Sequence, residues 1–442
     1  MIDVFPFAGY PVALYGLDEA GLYTARALHA GQAELSTWDS DPDNRAHAAG
    51  GGITTKDFTA DDLRQFTTLV VSAHAWETDP AAKDLAARAL EQNVEVICDV
   101  ELLARTQREA AYVGISGAYG KSLTAAIVTY LLQVTGREGE MAGLSGTSAL
   151  NTDPLGVEGV YVAEMTPFRV AHTVCITFDV AVLLNMDSAM KRAEALQIFH
   201  RQTEPRAAII SIDDKASQAI FKKLSKAAEQ RVFPISTKQV IKGGAFVQDG
   251  ALYDSFDGGE PVVVMDLSSI RQFAGPHAQA NVVAAFATVR ALGVEPHAAM
   301  AAIQSFPGLV DHREEIGKID GVLYINDAAS TSLDCVASSF QGYDDICWIG
   351  GGDQIGGSID GLKAVSDRIK GAYLFGQAGK DLAEALEGSI RTRPCDNLEK
   401  AVQAAQGGAW DVVIFAPGCG SGDGDAFCSL VEAMPGIRDD EE

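Results

Sequence analysis

Short runs of β-branched and other apolar residues alternate with alanine-rich stretches through most of the chain, the pattern of α/β units on parallel sheets. Three successive blocks share it. The first opens on a strand over Pro11–Tyr15, passes Gly16 and Gly21, and enters a helix through Ala25–His29. Further strands are predicted at Leu35–Trp38, Thr68–Ser72 and Val94–Ile97, and a helix at Val100–Arg105. The second block starts on a strand at Ala111–Gly114, turns through a glycine loop and continues as a helix over Ser122–Leu132. Strands follow at Gly159–Ala163, Val180–Leu184 and Ala207–Ile212, and the helix Asn281–Ala291 closes the block. Between them, Gly243–Val264 mixes glycines with alternating Val and Tyr and reads as small inserted antiparallel ribbons. The third block follows Phe306-Pro-Gly308, with strands predicted at Val322–Ile325, Asp345–Ile349, Ala372–Phe375 and Val412–Phe415. The predicted fold is therefore α/β in three domains, 1–106, 107–305 and 306–442. The acidic residues 439–442 read as a solvated tail.

Composition narrows the function. The 442 residues are 47% hydrophobic and 21% charged, enough apolar material for separate cores. Lys and Arg total 34 against 60 Asp and Glu, a net charge of −26, which argues against nucleic-acid binding. An anionic small ligand would need a local glycine loop and a few cations to capture it. The 7 cysteines are scattered with no C-x-x-C, so no zinc site or disulfide framework is signalled and buried free thiols are expected. No basic region followed by a long apolar stretch opens the chain, and no run of about 20 apolar residues occurs. Neither a signal peptide nor a membrane span is expected, and a cytoplasmic location is.

The strongest chemical signal is Gly114-Ile-Ser-Gly117-Ala118-Tyr119-Gly120-Lys121-Ser122, between a predicted strand and a predicted helix. Glycines let backbone N–H groups converge on phosphate oxygens, and a helix N-terminus adds positive potential. Lys121 would meet the outer phosphates, and the Ser122 hydroxyl could ligate magnesium. The strict G-x-x-x-x-G-K-S spacing is not met, because position 115 is Ile. In the first block, Gly16 and Gly21 with Asp39 further on fit a strand-turn-helix nucleotide site, though an ordinary α/β turn explains the glycines as well.

From this loop onward the chain resembles the Mur ligases, and most the branch that adds D-glutamate to UDP-N-acetylmuramoyl-L-alanine. Gly117-Ala-Tyr-Gly120-Lys121-Ser122 stands for the family's G-T-x-G-K-[ST], and Tyr161-Val-Ala-Glu164-Met-Thr166-Pro-Phe168 for its strand ending E-L-S-S-[FY]. Gly275-Pro-His277-Ala-Gln-Ala-Asn281 is similar to G-x-H-N-x-x-N, and Phe306-Pro-Gly-Leu309 with His312-Arg313-Glu-Glu315 to F-x-G-L-x-H-R-x-E. Tyr324-Ile-Asn326-Asp327 resembles the strand ending N-D, Gly350-Gly-Gly-Asp353 the G-G-x-D-K loop, and Ala416-Pro-Gly-Cys-Gly-Ser421 the S-P-A-C-A-S segment. Their common order along the chain carries the resemblance.

That resemblance implies a Rossmann-like UDP-binding domain, a central P-loop ATPase-type domain and a Rossmann-like C-terminal domain that brings the amino acid. It implies an ATP-dependent, magnesium-using ligase of peptidoglycan synthesis, monomeric, that forms an acyl phosphate and then an amide. Lys121 and Glu164 become candidate catalytic residues, with Ser122 and Glu164 on magnesium. Gly117, Ala118, Tyr119, Gly120, Lys121, Ser122, Asn281, Arg313 and Asp327 become nucleotide contacts, with Asn281 near adenine and Asp327 on the ribose. Leu17, Asp18 and Asp39 would hold the uridine end, and Thr166 and Ser421 the rest of the substrate.

The departures fall on the chemistry. The family's metal-site histidine is absent from Asn185-Met-Asp-Ser-Ala-Met-Lys191-Arg192, and its carbamylated lysine falls near Ala195. N-D-S-K becomes Asn326-Asp-Ala-Ala329, and the lysine of G-G-x-D-K becomes Gln354. Lys191 or Arg192 could stand in for a lost cation, and Arg169 could pair with Glu164 or lie at the surface. Two accounts follow: a divergent ligase, or a paralogue that binds nucleotide or precursor without efficient turnover. A folylpolyglutamate-synthase-like ligase would have no use for the first block.

Overall fold

The computed structural model describes residues 1–144, 146–187, 190–273, 275–352, 357–419 and 423–438. The chain divides into two compact units, Met1–Asp266 with Gln279–Phe306, and Leu267–Ala278 with Pro307–Glu442. Among the described residues there are three sheets, one for each block of the sequence.

The first unit holds two of them. Four parallel strands lie in the order Glu34–Trp38, Pro11–Tyr15, Thr68–Val71, Glu95–Ile97. The helix Glu19–Ala30 follows the second of these, and the Asp18 carboxylate caps it by accepting from the amides of Ala20 and Gly21. Helix and strand approach so closely that a Cβ on Gly21 would lie 2.0 Å from the Gly16 carbonyl oxygen. Packing thus demands glycine here.

The second sheet has nine strands, running Val262–Asp266, Ala251–Asp254, Ala245–Gln248, Arg231–Ser236, Ala207–Ser211, Val180–Leu183, Ala111–Ser116, Val160–Glu164, Gly139–Ala142. The antiparallel ribbons predicted at Gly243–Val264 form. Ala245–Gln248 pairs in parallel with Arg231–Ser236 and opens an antiparallel meander, so the ribbons extend the sheet's edge. The middle strand Ala111–Ser116 is flanked in register by Val160–Glu164 and Val180–Leu183, with Ile115 opposite Glu164 and Ser116 opposite Leu183. Burial on both faces explains why these strands read as continuous apolar runs. All three end at the same carboxyl edge, the usual place for a ligand in an open α/β sheet.

The second unit carries a seven-stranded sheet in the order Thr392–Cys395, Ile369–Phe375, Ile346–Gly352, Val412–Phe415, Val322–Asn326, Glu314–Ile319, Ile437–Arg438. Its core surrounds Trp348, fully buried, whose indole N–H donates to the Ala416 carbonyl at 2.8 Å. Cys98, Cys347 and Cys419 are buried thiols as expected, whereas Cys175 and Cys335 are exposed. Among the described residues no helix is long and apolar enough to cross a membrane.

Candidate functional site

The strand Ala111–Ser116 ends in the loop Gly117–Gly120, and the helix Lys121–Val134 starts directly behind it. Gly120 adopts φ +83°, and a Cβ there would meet the Asn281 side-chain oxygen at 2.3 Å. Asn281, whose Oδ1 also accepts from Thr124 Oγ1 at 3.3 Å, therefore sits against the loop and the start of its helix. Lys121 Nζ folds back on the loop, 3.0 Å from the Gly117 carbonyl oxygen and 3.5 Å from that of Ala118. Tyr119 is 52% exposed, so its ring does not plug the loop. Partial burial, then the charges of Asp214, Asp213 and Asp187, push its phenol above the ordinary value.

The neighbouring strand delivers Glu164, only 4% exposed, and its Oε2 accepts from Ser122 Oγ at 2.8 Å. One buried carboxylate and one hydroxyl at the end of a phosphate loop form a donor set that fits magnesium arriving on a nucleotide. Such ions take one or two protein oxygens, and phosphates and water complete the shell. Among the described residues no group of three or more His, Cys, Asp or Glu could by itself hold a metal, so phosphate and water oxygens would have to complete the shell. Ala195, where the resemblance places a metal-bridging lysine, is 2% exposed. It borders a cavity of about 10 Å³ together with Ser116, Pro167, Val170, Met190, Lys191 and Glu194. Lys191, beside it, is 79% exposed and pairs with Glu194 at 3.2 Å. Arg192 is likewise exposed.

At the carboxyl edge of the first sheet, Leu17, Asp18 and Asp39 come together. The Leu17 amide donates to Asp39 Oδ2 at 2.6 Å, and the same carboxylate accepts from the Asp41 amide and Asn44 Nδ2. Ser72 Oγ donates to Asp18 Oδ2 at 2.5 Å. Both acids thus shape the turn. Thr166 is also structurally engaged, since its Oγ1 caps the helix Pro167–Ala171 by accepting from the Arg169 amide at 3.3 Å.

Arg313 and Asp327 meet in the second unit, where the Arg313 amide donates to Asp327 Oδ1 at 2.9 Å. Asp327 Oδ2 accepts from Ser330 Oγ at 2.5 Å and from Ser339 Oγ. A carboxylate offers about four acceptor positions, so one remains for a ligand hydroxyl. The Arg313 guanidinium donates to the Gln341 carbonyl at 2.6 Å and stacks 5.1 Å from the Tyr343 ring centre. Ser421, Asp353 and Gln354 lie outside the described residues.

Two residues here escaped assignment from sequence. Asn185 follows the strand Val180–Leu183, and its Oδ1 accepts from the amides of Ala118 at 2.8 Å and Tyr119 at 3.1 Å, while its Nδ2 donates to the Tyr119 carbonyl at 3.0 Å. It holds the crest of the loop and leaves the amides at the helix start to face a phosphate. Removing it withdraws three hydrogen bonds from the loop. Asn185→Ala is expected to raise the KM for ATP roughly tenfold with a melting temperature within a few degrees of the parent; an unchanged KM would show that the loop holds itself. The second is Arg169, which is not at the surface and pairs with the carboxylate of Asp99, at 2.7 Å, rather than with that of Glu164.

No protein-family model matches this chain. Curated relatives do. The chain is 33% identical to the UDP-N-acetylmuramoylalanine–D-glutamate ligase of Caulobacter sp. (strain K31), with 98% of each chain covered. It is 34% identical to the enzyme of that name from Caulobacter vibrioides, again over 98% of both, and 32% identical to that from Rhodospirillum rubrum, over 99% of this chain and 98% of the other. Among solved structures, the UDP-N-acetylmuramate–alanine ligase of Thermotoga maritima matches with a TM-score of 0.58 at 12% identity, covering 96% of this chain and 99% of that one. A murein peptide ligase from Psychrobacter arcticus matches with a TM-score of 0.52 at 14% identity, covering 97% and 100%. At these identities the structures speak for the fold.

Proposed function

Because this chain belongs to the family of UDP-N-acetylmuramoylalanine–D-glutamate ligases, we propose that it joins D-glutamate to UDP-N-acetylmuramoyl-L-alanine at the expense of ATP, in peptidoglycan synthesis. The structural observation that carries this reading is the Ser122–Glu164 pair, set at the end of a glycine loop with Lys121 beside it. Similarity over nearly the whole of both chains favours a ligase over a chain that binds nucleotide or precursor without turnover.

The reaction brings together anions that repel each other. A carboxylate oxygen of the precursor attacks the γ-phosphorus of ATP, and ADP departs. The glutamate amine, having given up a proton, attacks the acyl carbon, and inorganic phosphate leaves with the former carboxylate oxygen. Lys121 releases the loop carbonyls and turns its ammonium toward the β- and γ-phosphates, where charge gathers in the transition state. Glu164 and Ser122 would hold the magnesium, which when bound would neutralise phosphate charge. Asn281 approaches the adenine, Arg313 contacts the nucleotide, and Asp327 spends its remaining acceptor position on a ribose hydroxyl. Leu17, Asp18 and Asp39 take the uridine end of the precursor, with Thr166 and Ser421 along its reacting end. Residues 1–106, 107–305 and 306–442 act as the UDP-binding, ATP-binding and amino-acid-binding domains of a cytoplasmic monomer. Water must be excluded while the acyl phosphate exists, or it hydrolyses.

ADP release measured with ATP, magnesium, the UDP-precursor and D-glutamate tests this. Continued release over many turnovers is expected to require both the precursor and D-glutamate, and any release to require the precursor. ATP binding without release, in folded protein, would favour the binder and overturn the ligase.

A further inference from the structure

One buried cation of the first unit belongs to neither the nucleotide loop nor the precursor turn. Arg169 is 3% exposed, in the short helix that follows Glu164 and Thr166. Its Nε and Nη2 donate to the two carboxylate oxygens of Asp99 at 3.0 and 2.7 Å, a planar two-point pair. Nη1 donates to the carbonyls of Gly143 and, at 3.3 Å, Glu164, and Nη2 reaches the Thr147 carbonyl at 3.2 Å. All five N–H donors of a guanidinium are thereby used.

The surroundings are built for this group. Gly143 adopts φ +69°, and a Cβ there would stand 2.8 Å from the guanidinium carbon. Asp99 opens the helix Asp99–Thr106 behind the last strand of the first sheet, and its Oδ2 also accepts from the Ala149 amide at 2.8 Å. A second bridge runs alongside, Thr24 Oγ1 to Ser148 Oγ at 2.9 Å. Burial opposes the Arg169 charge, and Asp99 outweighs it, so its pKa stays above the ordinary value.

We infer that Arg169 is a positioning residue for the metal site: it clamps the backbone of Glu164 and ties that turn to Asp99, fixing where the Glu164 carboxylate stands against Ser122. The inference rests on the ligase reading of the Ser122–Glu164 pair. Lysine at this position could keep a charge beside Asp99 but, with three donors on one nitrogen, could not span Asp99 and three carbonyls.

The test compares full-length wild type with Arg169→Lys and with the double variant Asp99→Asn/Arg169→Gln, which removes both charges together. Affinity for Mn2+ in the presence of ATP is read by electron paramagnetic resonance, and affinity for ATP alone is read in EDTA. Both variants are expected to bind Mn2+ with ATP at least tenfold more weakly, with metal-free ATP affinity within twofold of wild type. A purely structural role would lower both affinities together, in step with the melting temperature, and would overturn the inference. So would wild-type Mn2+ affinity in either folded variant; should the lysine variant fail to fold, the uncharged double variant decides on the same comparison. Wild type that fails to bind Mn2+ with ATP would contradict the ligase reading itself, and the inference with it.

Discussion

Lys121→Ala is expected to reduce ligase turnover by about 10³-fold, the scale of a preorganised cation on developing phosphate charge. Among the described residues its ammonium donates to two loop carbonyls, Gly117 and Ala118, so folding depends on it little. The melting temperature is therefore expected to hold while ATP affinity and turnover collapse together. Lys121→Arg is not expected to restore activity, because a planar fork cannot enter the space of a compact ammonium. Turnover within tenfold of the parent in Lys121→Ala would remove the phosphate loop from the chemistry.

The second large effect is on stability. Gly21→Ala places a methyl 2.0 Å from the Gly16 carbonyl oxygen, backbone against backbone, so the helix Glu19–Ala30 has to move off its strand. A loss of about 3 kcal/mol is expected. It should appear as a fall of several degrees in the first unfolding transition, with a raised KM for the UDP-precursor because Asp18 and its bond to Ser72 travel with the helix. Gly50→Ala is the contrast: that residue ends the helix Pro42–Gly50, and a Cβ there meets nothing within 4 Å. It is expected to leave the transition unchanged or slightly raised. Equal behaviour of the two variants would show that the first turn is loosely packed.

Much of the fold was legible because its buried parallel strands are runs of β-branched residues. Pro11–Tyr15 and Val412–Phe415 form where the pattern places them. Gly139–Ala142 lacks any β-branched residue, and Glu314–Ile319 has its alternation broken by a register shift between Glu315 and Gly317, so neither announced itself. The phosphate loop was legible for a related reason: its glycines, lysine and serine are consecutive, and their chemistry is local. The groups that hold the loop and the metal ligand are not local. Asn185 reaches an amide 67 positions away, across neighbouring strands of one sheet, and Arg169 a carboxylate 70 positions away that follows the last strand of another sheet, so only the fold brings them together. The fate of Asp39 was hidden for another reason: its carboxylate is shared among nearby turn groups, Leu17, Asp41 and Asn44, and turn geometry does not show in the pattern of apolar residues.

An acyl phosphate formed on this chain leaves a mark in its products. Precursor labelled with 18O in the alanine carboxylate, turned over with ATP and D-glutamate, should release inorganic phosphate carrying one labelled oxygen, since the carboxylate oxygen that attacks the γ-phosphorus departs with it. Mass spectrometry of that phosphate reads the result directly. Phosphate released without label, or ATP cleaved with no dependence on the precursor, would contradict the account.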